Sequence, residues 1–114
     1  MVTQEFELSV TPVGDPVVVH LNKDDADFQL VFYIDSRSGT FTFESNTSAQ
    51  IRGTKPDGTK FQASATVSTA NKKVTVNGDK NMTNVAGVGI FEICLTHARK
   101  ELYTQNFKVC IEDI

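Results

Sequence analysis

Tryptophan is absent from this 114-residue sequence, and its aromatic residues are eight phenylalanines and two tyrosines. A carbohydrate-binding module usually presents an aromatic platform, and here only Tyr33 and Tyr103 remain to form one. Long apolar runs are also missing, since the longest, Leu30–Ile34, is far shorter than the roughly 20 residues that span a membrane as a helix. The sequence therefore predicts no membrane-spanning helix.

An excess of positive charge is missing too. The chain has 11 Lys and Arg against 14 Asp and Glu, a net charge of −3 and an isoelectric point near 5.2. Nucleic-acid binding normally requires a clustered basic face. We therefore expect neither nucleic acid nor a membrane as a partner.

Cysteine is scarce, with Cys94 and Cys110 alone. A hairpin centred on Arg99-Lys100 would place Cys94 opposite a residue near Thr104, too far from Cys110 for a disulfide, so free thiols are expected. Cys94 and His97 have the spacing of half a zinc site. However, strand residues three apart point to opposite faces, and no second Cys or His pair completes the site.

Candidate catalytic residues are few. His20 and His97 are the two histidines, and neither lies near a Ser and Asp arrangement typical of a catalytic triad. Paired carboxylates in an apolar setting and a nucleophile elbow are also missing. We expect no enzyme activity, no catalytic or cofactor-binding residues, and no cofactor.

The acidic run Asp24–Asp27 invites comparison with a calcium loop. An EF-hand loop starting at Asp25 would need glycine and glutamate where Leu30 and Ser36 stand. A looser site shared with Asp15 or Asp35 is left open, but the prediction is that no metal binds and that the run forms a turn before a strand.

The segment from Gly53 to Lys60 nearly matches a phosphate-binding loop. That loop requires Gly-Lys-Ser/Thr followed at once by a helix, whereas here the order is Thr-Lys, Pro56 interrupts, and an alternating strand follows. Pro56 presets the first corner of a turn, Asp57 can cap it, and Gly58 accepts a left-handed conformation. We therefore predict a hairpin turn.

Period-two alternation and regular turn signals predict an all-β sandwich. A helical turn is expected near Asn81–Val85. The predicted strands are 4–10, 16–21, 27–35, 40–44, 47–54, 59–67, 72–77, 87–97 and 102–112.

The same alternation assigns the inward face of the strands. The predicted core consists of Phe28, Leu30, Phe32, Ile34, Ile51, Phe61, Val74, Val76, Phe91, Ile93, Leu95, Phe107, Val109 and Ile111. The opposite face of strand 27–35 is unusually apolar at Val31 and Tyr33. Either a neighbouring loop covers this face, or it is exposed and contacts a partner, which makes Val31 and Tyr33 the predicted partner-binding residues.

The order of the later segments carries a family resemblance. The Lys-Pro-Asp-Gly-Thr hairpin at 55–59, Met82-Thr83 before a Gly-led strand, and the closing Thr-x-Asn-Phe-x-Val strand at 104–109 occur in sequence. Together they resemble the N-terminal domain of the phage baseplate upper protein family, found in siphophages and prophages of Gram-positive bacteria. The resemblance covers roughly residues 28–112.

The resemblance implies an immunoglobulin-like antiparallel β-sandwich in a virion structural protein that docks receptor-binding components onto the tail tip. At 114 residues the chain is expected to form one domain over residues 1–114, which is either the N-terminal attachment domain of a longer baseplate protein or a minimal member of the family. The implied partners are other tail proteins, a distal tail or receptor-binding protein, or further copies, a trimer in the full-length protein. The implied location is the phage baseplate, assembled in the host cytoplasm, and the sequence shows no signal peptide. The alternative is a carbohydrate- or cell-surface-binding β-sandwich module.

Overall fold

Alternating apolar and polar residues form strands throughout the computed structural model, which describes residues 2–10, 16–35 and 46–113. The predicted strand 40–44 lies outside these residues. The described strands are β1 Val2–Ser9, β2 Val18–Asn22, β3 Phe28–Asp35, β4 Ser48–Thr54, β5 Lys60–Ser68, β6 Lys73–Asn77, β7 Gly87–His97, β8 Lys100–Tyr103 and β9 Phe107–Glu112, and a short helix, α1, spans Lys80–Thr83.

The described strands form one hydrogen-bonded path in the order β1-β3-β6-β5-β4-β7-β9-β2, and β8 pairs with β7. The long strand β5 makes the path continuous, because residues 60–65 pair with β4 and residues 66–68 pair with β6. The β1–β3 and β2–β9 pairings are parallel. The all-β prediction is confirmed, but the sheet is mixed and curled, and an antiparallel two-sheet sandwich is not confirmed.

The curled sheet brings its two ends together over a chain of phenylalanine rings. Phe6 stacks on Phe32 at 5.6 Å between ring centroids, and Phe32 lies 4.8 Å from Phe107. Phe107 in turn lies 6.4 Å from Phe91, whose ring is 6.2 Å from Phe61. Because aromatic pairs at these distances bury large areas, this chain of rings joins β1 and β3 to β9, β7 and β5.

Every residue of the predicted core is buried in the hydrophobic core cluster. The alternation argument is thus confirmed for β3 to β7 and β9. The cluster also contains Leu8, Val19, Leu21, Ala49 and Met82, which the sequence patterns did not single out.

Gly53 lets two of the core rings meet across a strand. It pairs with Phe61 on one side and Phe91 on the other. A Cβ atom at Gly53 would lie 2.4 Å from the Ile90 carbonyl oxygen and 2.5 Å from the Phe91 ring. A larger residue here would therefore force β7 or the Phe91 ring to move.

The predicted hairpin turn is confirmed. The Gly58 amide donates to the Lys55 carbonyl at 2.9 Å, and Gly58 has a φ of 89°. The Asp57 carboxylate accepts from the Thr59 amide at 3.0 Å and from its hydroxyl at 2.6 Å, and these bonds lower the pKa of Asp57. Strand β5 follows directly, so the segment has the form of a hairpin and not of a phosphate-binding loop.

The predicted last strand, 102–112, is wrong in its extent, because residues 104–106 separate β8 from β9. Thr104 replaces a regular strand pairing, since its hydroxyl accepts from the Ile93 amide at 3.0 Å. Gln105 pairs with the end of β1, where its side-chain oxygen accepts from the Ser9 amide at 2.9 Å and its own amide donates to the Ser9 carbonyl at 2.8 Å. These buried polar bonds redirect the chain between the two strands. As a result, β8 pairs with residues 94–97 of β7, whereas β9 pairs with residues 87–91.

Candidate functional site

Two outward faces of the curled sheet are candidates for binding. The first, called the β3 face, comprises Val31 and Tyr33 of β3 and their cross-strand neighbours. Val31 pairs with Glu5 of β1 and Thr75 of β6, and Tyr33 pairs with Glu7 and Lys73. The face thus carries acidic residues on its β1 side and a basic residue on its β6 side.

The two predicted partner-binding residues of the β3 face differ in how deeply they are buried. Val31 is buried, with 6% of its surface exposed, although it lies outside the hydrophobic core cluster. Tyr33 is half-buried. Of the pair, only Tyr33 therefore presents appreciable area to a partner, and the binding role of this face stays a prediction.

The second face, called the β7 face, contains a row of residues that crosses five adjacent strands. In register, Lys60 of β5 lies beside Thr54 of β4, then Ile90 of β7, Lys108 of β9 and Val18 of β2. Ile90 is 40% exposed and Val18 is 39% exposed. Exposed apolar residues therefore flank Lys108 on both neighbouring strands.

A second row on the β7 face runs beside the first. Val88 of β7 pairs with Cys110 of β9, which pairs with His20 of β2. Val88 is 54% exposed, Cys110 is half-buried, and the His20 ring nitrogen lies 3.5 Å from the Glu112 carboxylate. The β7 face therefore has an apolar centre with a potential ion pair at its border.

A groove of about 480 Å³ adjoins this face and is lined in part by Arg52, Lys60, Ile90 and Glu92. Arg52 lies 3.8 Å from the Glu92 carboxylate, and its guanidinium group sits 4.9 Å from the centre of the Tyr103 ring. The Tyr103 hydroxyl donates to Glu101, which raises the pKa of Tyr103. The exposed ring of Tyr103 is thus partly covered by a cation.

The two cysteines are free thiols, as predicted. Cys94 pairs with Tyr103 and Cys110 with Val88, so they lie at different levels of β7. Both sit on outward positions, but Cys94 is 3% exposed, and burial raises the pKa of its thiol. Outward position alone did not reveal that Cys94 is buried.

Possible metal ligands are dispersed in the described residues. Within residues 2–10, 16–35 and 46–113, no group of three or more His, Cys, Asp and Glu side chains could hold a metal ion. His97 lies at the end of β7, opposite Lys100. The zinc half-site spacing therefore corresponds to a strand end, not to an assembled ligand set.

The acidic run before β3 forms a turn tied to α1. The Asp25 carboxylate accepts from the Asp27 amide at 2.9 Å, and the Asp24 amide donates to the Thr83 carbonyl at 2.9 Å. The Thr83 hydroxyl donates to the Asp25 carbonyl at 2.6 Å. This bonding gives Asp25 a structural part in the turn. Of the residues in the looser calcium hypothesis, Asp15 and the Asp35 side chain lie outside the described part of the chain.

The sequence reasoning did not single out the exposed apolar residues of the β7 face, although the period-two alternation of the strands indicated them. Placing Phe91, Ile93 and Leu95 inward puts Val88 and Ile90 outward by parity. The same parity puts Lys108 and Cys110 outward, because Phe107 and Val109 point inward. The parity pattern thus contained the face, but only the strand order joined β7, β9 and β2 into one surface.

The described residues thus form an all-β fold, and none of their helices is long and apolar enough to cross a membrane. Its fold is similar to the N-terminal domain of phage TP901-1 ORF48, with a TM-score of 0.75 and 15% sequence identity over 98% of this chain and 99% of that chain. No protein-family model matches the sequence, and a search of curated proteins gives no significant match. The resemblance to the N-terminal domain of a phage protein is therefore confirmed at the level of the fold.

Proposed function

We propose that this chain is a structural domain of a phage tail baseplate that docks receptor-binding components through protein–protein contacts and catalyses no reaction. The observation that carries the proposal is the likeness of fold to a phage protein domain over nearly the full length of both chains. The order of the hairpin at 55–59 and the closing strand motif at 104–109 supports the same assignment. In this role the chain is located in the baseplate of the virion.

The architecture suits such a role because a rigid core can display fixed outward faces. The ring chain from Phe6 to Phe61 joins strands from both ends of the sheet. Packed interiors of this kind transmit strain and hold side chains in defined rotamers. The side chains of the β3 and β7 faces would therefore already be in place when a partner binds, and binding would not require the chain to fold first.

The carbohydrate-binding alternative has less support. Tyr103 is the aromatic residue among the exposed large hydrophobic residues of the described chain, and Arg52 lies over its ring. Tyr33 lies on the other face of the molecule. The described residues therefore form no aromatic strip of the kind that stacks on sugars.

The docking role is tested on phage particles produced by the strain that encodes this chain. Antibodies against the purified domain should label the distal end of the tail in electron micrographs, and mass spectrometry should detect the chain in purified particles. Antibody pre-adsorbed with the domain is the control. Particles that lack the chain would contradict the proposal, and specific binding on a glycan array would favour the alternative.

The β3 face is tested separately with the distal tail protein of the same phage. We expect Tyr33→Ser to weaken binding, because Tyr33 combines accessible ring area with a hydroxyl group. Val31→Ser is a poor probe, since it would place a hydroxyl in a buried position. Unchanged binding by a folded Tyr33→Ser variant would remove the β3 face from the interface.

A further inference from the structure

We propose that the β7 face binds a protein surface that presents carboxylates on both sides of an apolar side chain. The carboxylates would pair with Lys60 and Lys108, and the apolar side chain would cover Ile90 between them. This inference deepens the proposed function by naming the face that docks and the chemistry of its partner.

The first argument is the clustering of exposed apolar residues. Val2, Val18, Val88, Ile90 and Tyr103 are the exposed large hydrophobic residues of the described chain, and three of these five lie on the β7 face. They lie on β2 and β7, with β9 between these strands, and the residue between Val88 and His20 is the half-buried Cys110. Exposed apolar residues that cluster in this way mark an interaction surface more often than scattered single residues do.

The second argument is unbalanced positive charge on an acidic protein. The chain has a net charge of −3, yet Lys108 has no carboxylate partner within the described residues. The Lys60 ammonium donates to the Thr54 hydroxyl at 2.7 Å and likewise has no carboxylate partner there. The two lysines stand three strand spacings apart in one row, about 14 Å at the usual spacing. Charge complementarity at an interface therefore favours an acidic partner.

The third argument is the arrangement of charges around the apolar centre. Arg52 and Glu92 lie 3.8 Å apart on one side, and His20 and Glu112 lie 3.5 Å apart on the other. Protein interfaces commonly have an apolar centre and a polar rim. The Arg52–Glu92 ion pair and the polar contact of His20 with Glu112 fit the rim, and the unpaired lysines lie in the row that contains Ile90.

A protein partner fits this face better than a polyanion does. A nucleic acid or a teichoic-type polymer would use the lysines but would gain nothing from Val18, Val88 and Ile90. The acidic residues Glu5 and Glu7 on the β3 face make a second copy of the chain an outcome that the test must separate.

The binding test uses the purified full chain and the purified distal tail protein of the same phage. Lys108→Glu and Ile90→Asp should each weaken binding at least about tenfold, because each removes a central contact and adds a repulsive charge. Lys80→Glu on α1 and Ala70→Asp in the turn after β5 make the same charge changes at exposed positions, and they should bind as the wild type does. Circular dichroism melts establish that each variant is folded.

Carbodiimide cross-linking then reads the contact directly, because it joins a lysine ammonium to a carboxylate only when the two are adjacent. Mass spectrometry should find Lys60 or Lys108 joined to Asp or Glu of the tail protein. Replacing that acidic residue with lysine should restore binding to Lys108→Glu.

Wild-type binding that Lys108→Glu and Ile90→Asp leave unchanged would overturn this surface while the docking function stands. No binding of the wild type to any purified tail protein would overturn both. Loss of a self-associated species in sedimentation, without an effect on tail protein binding, would overturn the proposed partner in favour of a second copy.

Discussion

The two outward faces of the sheet differ in how far their apolar residues are exposed. On the β3 face, Val31 is buried and Tyr33 is half-buried, and acidic and basic residues flank them. On the β7 face, Val18, Val88 and Ile90 are exposed around Lys108. Both faces follow from the same period-two pattern, so an apolar residue in an outward position indicates a surface only when nothing else in the fold covers it.

The same comparison holds within one face for the two cysteines. Cys94 and Cys110 both occupy outward positions, but Cys94 is buried and Cys110 is half-buried. Cys94 has β4 on one side and β8 on the other, with Tyr103 directly opposite. On β7 the outward positions are therefore exposed at Val88 and Ile90, which pair with β9, and buried at Cys94, which pairs with β8.

The largest expected effect concerns the core that joins the two faces. Phe107 contacts Phe32, below the β3 face, and Phe91, below the β7 face. Phe107→Ala should lower the free energy of unfolding by about 3–5 kcal/mol, because it removes a buried ring and leaves a cavity. Chemical denaturation measures this loss.

A matched control for that substitution is Lys108→Ala, which truncates the exposed neighbour on the same strand and should change stability by less than about 0.5 kcal/mol. Equal stabilities of wild type and Phe107→Ala would show that the ring chain does not couple the two ends of the sheet.

A smaller effect is expected at the polar junction between β8 and β9. Thr104→Val keeps the side-chain shape but removes the hydroxyl that accepts from the Ile93 amide. The buried amide loses its hydrogen-bond partner, so the free energy of unfolding should fall by about 1–3 kcal/mol. Thr66→Val, at an exposed position on β5, is the control.

Hydrogen exchange adds a local readout to the Thr104→Val experiment. The Ile93 amide should exchange faster in the variant, while amides in β3 keep their protection. Unchanged exchange at Ile93 would indicate that this bond does not hold β7 at the junction.

The smallest effect is a difference in reactivity between the thiols, with no change in stability. A thiol reagent at pH 8 should modify Cys110 at least about tenfold faster than Cys94, because the thiolate is the reactive form and burial raises the pKa of Cys94. Cys110→Ser should abolish the fast phase. Binding of a partner to the β7 face should slow the reaction of Cys110. A faster reaction of Cys94 than of Cys110 in the native protein would contradict the burial of Cys94.

Local patterns determined the interior of this protein. The alternation in β3, β7 and β9 identified the core residues, because side chains on a strand point to opposite faces in turn. The Pro56-Asp57-Gly58 turn was equally readable, since each of its residues meets a local backbone requirement.

Tertiary structure decided what each outward face became. The break at Thr104–Asn106 depends on bonds to Ile93 and Ser9, which are distant in sequence, so no local pattern marks it. The parallel pairing of β2 with β9 brings Val18 beside Lys108, 90 positions away in the printed sequence. Alternation specifies only the side of a strand on which a residue lies. Which strands become neighbours, and therefore whether an outward side chain is covered or joins a surface, is decided by the non-local pairing of the sheet.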